Sequence, residues 1–185
     1  SIFVIDWYDG DINITRDPKG GVIIEQNGYV LSGYKGSLYV TTGGLPCSNR
    51  LNVDCDEKTL NIYFDNVNVS SSSSPVNVKS GTVDISFSEK DNLISSTSKE
   101  ESAFFVDEDA TLIINSEGGK SLKVDSEKNV PAISGTGTIV LKDSNGHLKL
   151  NEANNLNNST PEISVGTYQY KGTNPKYNAV LNNGE

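Results

Sequence analysis

The sequence predicts an all-β protein, and within that class a right-handed parallel β-helix with three sides. Three observations support this prediction. Apolar and polar residues alternate over short segments throughout the chain, whereas the helical spacing of i, i+3, i+4 and i+7 is nearly absent. Clusters of Gly, Asn, Asp and Ser, which suit tight turns, separate these segments. One alternating segment also recurs at intervals typical of a solenoid.

The recurring segment begins with Thr followed by an apolar residue. Its copies start at Thr59, Thr82, Thr111 and Thr138, at steps of 23, 29 and 27 residues. Three strands of about five residues and three connections of about four residues make roughly 27 residues. Each step therefore has the length of one three-sided coil, whose strands pair in parallel with those of the next coil.

Two further strands complete each of the last three predicted coils. One follows the Thr segment, at Leu93-Ile94, Leu122–Val124 and Leu148–Leu150. The other precedes it, at Val76–Val78, Phe104–Val106 and Ala132-Ile133. Alternation predicts which side chains of the Thr segments point inward. They are Leu60, Ile62, Phe64, Val83, Ile85, Phe87, Leu112, Ile114, Ile139 and Leu141.

An antiparallel β-sandwich is the alternative fold, because it also has many short strands joined by turns. Its strands would not recur in matching register at coil-length steps. We expect one module over residues 1–185, with an N-terminal cap and first coil at 1–36, stacked coils at 37–150 and a C-terminal cap at 151–185. The C-terminal cap would shield the last strand edge from other chains.

Composition limits the class of protein. The formal charge of −9 disfavours nucleic acid as a partner. No apolar run approaches the roughly 20 residues that cross a bilayer, and Ser1–Asp11 lacks the pattern of a signal peptide. Because the chain contains no Met, we expect it to be one module of a longer protein.

The spacing of the two cysteines indicates the cellular compartment in which the protein works. Cys47 and Cys55 are eight positions apart across a turn-rich segment, which favours a disulfide over metal ligands. A disulfide implies an oxidising environment, and therefore a secreted or cell-surface protein. Two reduced, half-buried thiols are the alternative.

The sequence lacks the motifs of common catalytic sites. The single histidine, His147, lies in a turn-like segment without a Ser and carboxylate at triad spacing, and no phosphate-binding loop or HExxH motif is present. Enzymes on β-helices that cleave pectin use clustered Asp with Arg or Lys. This chain has two arginines, Arg16 and Arg50, and neither lies in the predicted repeat. We therefore predict a non-enzymatic protein.

Acidic clusters suggest structural calcium, which takes six to eight oxygen ligands. The best candidates are Asp54 and Asp56, or Asp107 and Asp109, because strands whose carbonyls can complete the shell adjoin both pairs. Solvated acidic turns are the simpler alternative.

Tyrosines suggest a ligand platform. Tyr39 and Tyr63 alternate with inward apolar residues and are 24 residues apart, so they should face outward on neighbouring coils. With Lys35, Arg50 and Lys58 they form a candidate surface for a sugar chain, including an acidic one, or for a protein partner. Ordinary aromatic packing between strands is the alternative.

Part of the chain resembles a known family. Tyr29-Val30-Leu31-Ser32-Gly33 and the rung at 60–67 resemble bacterial carbohydrate-binding β-helix domains over about residues 12–150. The resemblance implies a secreted or cell-surface protein that binds plant-type polysaccharide and carries structural calcium. Our leading hypothesis is thus a non-catalytic carbohydrate-binding module that uses a flat outer sheet. The alternative is a protein-binding module of an extracellular scaffold or adhesin, such as a cohesin-like unit of a cellulose-degrading complex.

Overall fold

The computed structural model of the chain describes residues 1–115, 122–127, 130, 132–142, 162–163, 168–173 and 176–181, with side chains described as far as residue 140. Strands dominate these residues, and their helical structure is limited to a 3₁₀ turn at Trp7–Asp9. The all-β class is therefore confirmed. In the described part of the chain, no helix combines the length and the hydropathy that crossing a bilayer requires.

The strands of the described residues carry the following labels. They are β1 (Ile2–Asp6), β2 (Ile12–Arg16), β3 (Val22–Gln26), β4 (Tyr29–Tyr34), β5 (Ser37–Thr41), β6 (Leu51–Asp65), β7 (Asn68–Ser71), β8 (Val76–Phe87), β9 (Leu93–Ser96), β10 (Phe104–Asn115), β11 (Leu122–Asp125), β12 (Ile133–Ser134), β13 (Thr138–Lys142), β14 (Glu162–Ile163), β15 (Tyr168–Thr173) and β16 (Lys176–Leu181).

The strands form a twelve-stranded and a four-stranded sheet, and both sheets are mixed. The central pairings of the large sheet, from β2 and β5 through β6, β8 and β10 to β13, are parallel. In the small sheet, β7, β9 and β11 are also parallel. Antiparallel pairs occur at the ends of the sheets, as β2–β3–β4, β13–β15–β16 and β11–β14.

Two of the longest strands, β6 and β10, pair with different strands along their first and second parts. The first part of β6 pairs with β2, whereas its second part pairs with β5. Register shifts mark the change, between Val53 and Thr59 in β6 and between Val106 and Asp109 in β10. Each of the three longest strands thus has a first and a second segment, separated by a register shift.

The predicted repeat is confirmed by the pairing register. Thr59 pairs with Thr82, Thr82 with Thr111, and Thr111 with Thr138. The predicted inward side chains are all buried as far as residue 140, while the side chain of Leu141 lies outside the described residues. Because the central pairs are parallel, the antiparallel sandwich does not fit these strands.

The other two predicted strand series pair in parallel as well. Leu93 pairs with Lys123, and Val76 pairs with Phe104, which pairs with Ile133. The predicted strand at 148–150, His147 and most of the predicted C-terminal cap at 151–185 lie outside the described residues.

The inward side chains form one continuous apolar core. Fully buried Trp7 packs on Phe64 with ring centroids 5.6 Å apart. One buried polar residue, Asn92, closes the corner before β9. Its Oδ1 accepts from the backbone N–H of Val67 at 3.1 Å, and its Nδ2 donates to the carbonyls of Ser88 at 3.2 Å and Lys90 at 2.9 Å. Its hydrogen bonds allow an amide to be buried at this corner.

The predicted disulfide is not formed, because the two cysteines point to different parts of the backbone. Cys47 and Cys55 are both buried free thiols. The Cys47 Sγ donates to the carbonyl of Trp7 at 3.4 Å. The Cys55 Sγ lies at the bend of β6, 3.6 Å from the carbonyl of Lys58. The alternative of reduced thiols is the one that the structure shows, and the disulfide no longer supports a secreted location.

Candidate functional site

A groove lies on the outer face of the first segments of β6, β8 and β10, together with β2. Its volume is about 390 Å³, within the range of small-molecule sites. Side chains from all four strands line it, along with Arg50, which directly precedes β6. The lining residues are Asn13, Ile14, Thr15, Arg50, Asn52, Val53, Asp54, Asn77, Lys79, Phe105 and Asp107.

The groove results from the same short pattern in all four strands. Each has one outward residue between two buried apolar ones, at Ile12–Ile14, Leu51–Val53, Val76–Val78 and Phe104–Val106. Successive side chains of a strand point to opposite faces, so the apolar pair enters the core and the middle residue faces out. Pairing in register brings the middle residues into one row across the strands.

Three asparagines of this row form a hydrogen-bonded column. The Nδ2 of Asn52 donates to the Oδ1 of Asn13 at 3.0 Å, and the Nδ2 of Asn77 donates to the Oδ1 of Asn52 at 3.1 Å. The Nδ2 of Asn13 donates to Glu25 at 3.3 Å. An amide has two N–H donors and two carbonyl lone pairs. The second N–H of Asn77 donates to the carbonyl of Ser74 at 2.8 Å, so the column retains donors on Asn13 and Asn52, and acceptors on all three side chains, for a ligand.

Phe105 occupies the fourth position of the row, where it pairs in register with Asn77. Its side chain is 36% exposed, although its neighbours Phe104 and Val106 are fully buried. A half-exposed aromatic ring next to polar amides gives the groove one apolar contact surface.

Two β-bulges add charged side chains to the groove. Val53 pairs with Val78 and Asp54 with Ser80, so Lys79 has no partner in the β6 register. In the same way β10 skips Asp107 and Glu108 between its pairs with β8. A bulge redirects the side chain of the extra residue, and Lys79 and Asp107 both line the groove.

Hydrogen bonds hold the remaining charged residues of the groove. The Nε of Arg50 donates to the carbonyl of Ser74 at 3.1 Å, and its backbone N–H donates to Asp11 at 2.8 Å. The carboxylate of Asp54 accepts from the Ser80 hydroxyl at 2.6 Å. The groove thus has an anchored guanidinium at one side and an anchored carboxylate at the other.

The predicted tyrosine platform lies outside this groove. Tyr39 and Tyr63 do pair in register, and their rings are stacked with centroids 5.3 Å apart. Each ring therefore turns one face to the other ring. The Tyr39 hydroxyl donates to Asp65, and this bond, with burial, raises the pKa of Tyr39 to about 12. The same bond lowers the pKa of Asp65.

The three predicted basic residues do not come together. Arg50 lines the groove, although the sequence had suggested that it lies outside the repeat. Lys35 is exposed, and its side chain lies over Gly20 in the turn between β2 and β3. A Cβ attached to Gly20 would be 3.5 Å from the Nζ of Lys35. Lys58 lies at the bend of β6 and does not line the groove. The ligand surface predicted from sequence is thus divided between separate parts of the molecule.

The predicted calcium ligands are also divided. Asp54 and Asp107 line the groove. A carboxylate oxygen of Asp56 lies 4.0 Å from the guanidinium of Arg16, and Asp109 lies beyond the bulge of β10. No group of three or more His, Cys, Asp or Glu side chains that could hold a metal ion occurs within the described ranges. Calcium binding stays a prediction.

Sequence reasoning missed Asn13, Asn52, Asn77, Lys79 and Phe105. The available signal was an Asn between two apolar residues, which is unusual because Asn is depleted in strands. The signal is ambiguous, since the same triplet occurs at Leu60–Ile62 and Val67–Val69, on other parts of the molecule.

Comparison of the chain with models of protein families, with curated proteins and with solved structures found no match. The family resemblance noted in the sequence therefore stays a prediction. What the structure defines is an all-β protein with a groove that carries a row of amides, one aromatic ring at the end of that row, and balanced charges.

Proposed function

We propose that this chain is a non-catalytic, extracellular carbohydrate-binding module and that a polysaccharide binds in the groove. The supporting observation is the row formed by Asn13, Asn52, Asn77 and Phe105, in which an amide column ends at a half-exposed aromatic ring. Sugar hydroxyls both donate and accept hydrogen bonds, as do side-chain amides. The C–H face of a sugar ring is apolar and packs on an aromatic ring.

We further propose that the architecture is a right-handed, three-sided parallel β-helix. The two segments of each long strand supply two sides, and β7, β9 and β11 supply the third. The Thr59–Thr82–Thr111–Thr138 register supports this architecture, since each step advances by one coil. Parallel connections are strongly biased towards the right hand. Stacked coils make the groove wall rigid, so that binding orders few side chains.

The test is binding of the full chain to soluble polysaccharides. Affinity electrophoresis through gels containing cellulose derivatives, xylan, mannan or polygalacturonate would identify a ligand. Replacing Phe105 or Asn52 with Ala should weaken binding to that ligand at least about tenfold, because hot-spot side chains each contribute more than about 1.4 kcal/mol.

Asn61→Ala is the matched control. Asn61 is also an outward Asn on β6 between two buried apolar residues, but it lies on the second segment, outside the groove. Removal of the Asn61 amide should leave binding of the polysaccharide unchanged. Retention by none of the polysaccharides would refute the proposal and favour the scaffold or adhesin hypothesis. An equal loss with Asn61→Ala would show that the groove is not the site.

A further inference from the structure

We infer that the groove takes an uncharged, extended glycan that lies across the strands, with one sugar unit over each strand. This inference rests on the proposed function, because it specifies the ligand of the same groove. Three features of the groove support it: its charge balance, the length of its row of outward side chains and the order of those side chains.

The charges that line the groove cancel. Arg50 and Lys79 are cationic, and Asp54 and Asp107 are anionic. The whole chain has a formal charge of −9, so a polyanionic glycan is repelled at long range and meets no net positive groove at contact. An uncharged glycan meets neither penalty, and its hydroxyls can pair with the carboxylates and with the cations.

The row of outward side chains crosses the groove from strand to strand. From Asn13 to Phe105 the row makes three steps between neighbouring strands, or about 14 Å at about 4.8 Å per step. Along β6 the lining runs from Arg50 to Asp54, four residues or about 13 Å, so the row of side chains and not the shape of the groove sets the direction of the ligand. An extended ligand therefore fits along the row.

The row also has two chemically different ends. A fully extended sugar chain advances per unit by a length close to the spacing of the strands. One unit can thus pack on Phe105 while the next three lie over Asn77, Asn52 and Asn13. Stacking at one end and hydrogen bonds along the rest give the bound chain a single direction.

The experiment is isothermal titration of the full chain with a length series. The neutral polysaccharide retained in the test above is prepared as oligosaccharides of one to six units, and galacturonate oligomers of the same lengths serve for comparison. We expect affinity for the neutral series to rise with length and to level off at about four units. The galacturonate tetramer should bind at least about tenfold more weakly than the neutral tetramer.

Two variants test the direction and the charge balance. Phe105→Ala and Asn13→Ala, at opposite ends of the row, should both weaken binding of the neutral tetramer. Only one of the two changes should weaken binding of the neutral dimer. In an Asp54→Asn/Asp107→Asn variant the two cations of the groove remain unopposed, so binding of the galacturonate tetramer should improve about tenfold.

The outcomes separate this inference from the proposed function. If no glycan binds, the proposed function fails. If a neutral glycan binds but its affinity stops increasing at one or two sugar units, the proposed function stands and this inference is wrong. The same holds if the wild-type chain binds galacturonate oligomers more tightly than neutral ones. An extended peptide that competes for the groove with affinity equal to that of the glycan tetramer would also overturn it.

Discussion

Replacing Gly81 with Ala should destabilise the protein far more than the same change at Gly43. Both glycines have positive φ, +89° at Gly81 and +63° at Gly43, a region that costs a residue with a Cβ roughly 1–2 kcal/mol. A Cβ on Gly43 would meet nothing within 4 Å. A Cβ on Gly81 would overlap the Sγ of Cys55 and lie 3.0 Å from the carbonyl oxygen of Lys58.

The expected magnitudes follow from these surroundings. Gly43→Ala should lower the free energy of unfolding by about 1 kcal/mol, the backbone cost alone. Gly81→Ala adds the strain of overpacking, typically about 1–3 kcal/mol, and should lower the free energy of unfolding by about 3 kcal/mol in all. Urea unfolding measures both changes, with far-ultraviolet circular dichroism for the sheets and fluorescence for Trp7, the single tryptophan of the chain.

A double-mutant cycle tests whether the Cys55 thiol is the group that a Cβ on residue 81 would overlap. Cys55→Ala removes the Sγ, so the Gly81→Ala/Cys55→Ala variant should be more stable than the sum of the two single changes predicts, by about 1 kcal/mol or more. Cys55→Ala should show no such coupling with Gly43→Ala. Equal losses at Gly81 and Gly43 would refute the reasoning from packing, and strict additivity would show that the thiol is not the group in the way.

Three further predictions concern hydrogen bonds and thiols. Since the folded pKa of Tyr39, about 12, lies above its ordinary value of 10.0 and the pKa of Asp65 is lowered, the bond between them should contribute stability that is lost as pH rises from 10.0 through about 12, and lost again in acid as Asp65 becomes protonated. Tyr39→Phe should remove the tyrosine step near pH 12 from an absorbance titration, and persistence of that step would contradict the assignment. Burial raises the pKa of both Cys47 and Cys55, that of Cys55 to about 11, so Ellman's reagent should react slowly with the native protein at neutral pH. In urea it should release two equivalents per chain, and fewer would show that a disulfide forms. Asn92→Ala leaves a buried backbone N–H without its acceptor and should lower the free energy of unfolding in urea by about 2 kcal/mol, whereas a loss below about 0.5 kcal/mol would show that the amide does not hold the corner.

The inner rows could be predicted from sequence because apolar side chains recur at fixed places in each step. Ile62 and Ile85 follow Thr59 and Thr82 by the same three positions, and these residues pair in register. Burial of one face of each segment leaves a single favourable register, since a slip by one residue would turn the apolar row to water.

The groove could not be predicted, because it depends on which outward residues align. Asn52 aligns with Asn13 and Asn77, but Asn61, in the same kind of triplet, aligns with Asp84. Sequence alternation gives the face of each residue but not its neighbour on the next strand. The bulge that turns Lys79 into the groove likewise has no apolar pattern that predicts it.

The tyrosine pair shows the same limit. The spacing of Tyr39 and Tyr63 predicted outward rings on neighbouring strands, and the pairing confirms that they are adjacent. Whether the rings would offer their faces to a ligand depended on side-chain packing and on the bond to Asp65, which lies 26 residues from Tyr39.

The corner between the groove strands and the Thr strands varies in length, while the strands on both sides of it keep their partners. It comprises residues 17–36 after β2, including the β3–β4 hairpin, residues 54–58 in β6, 79–81 in β8 and 107–110 in β10. The number of residues at this corner differs from strand to strand while the apolar rows on both sides of it stay in register. Evolution can therefore reshape the border of the groove by changing the length of this corner, and a protein engineer can graft a new loop at the exposed Glu108 and Asp109 for the same purpose.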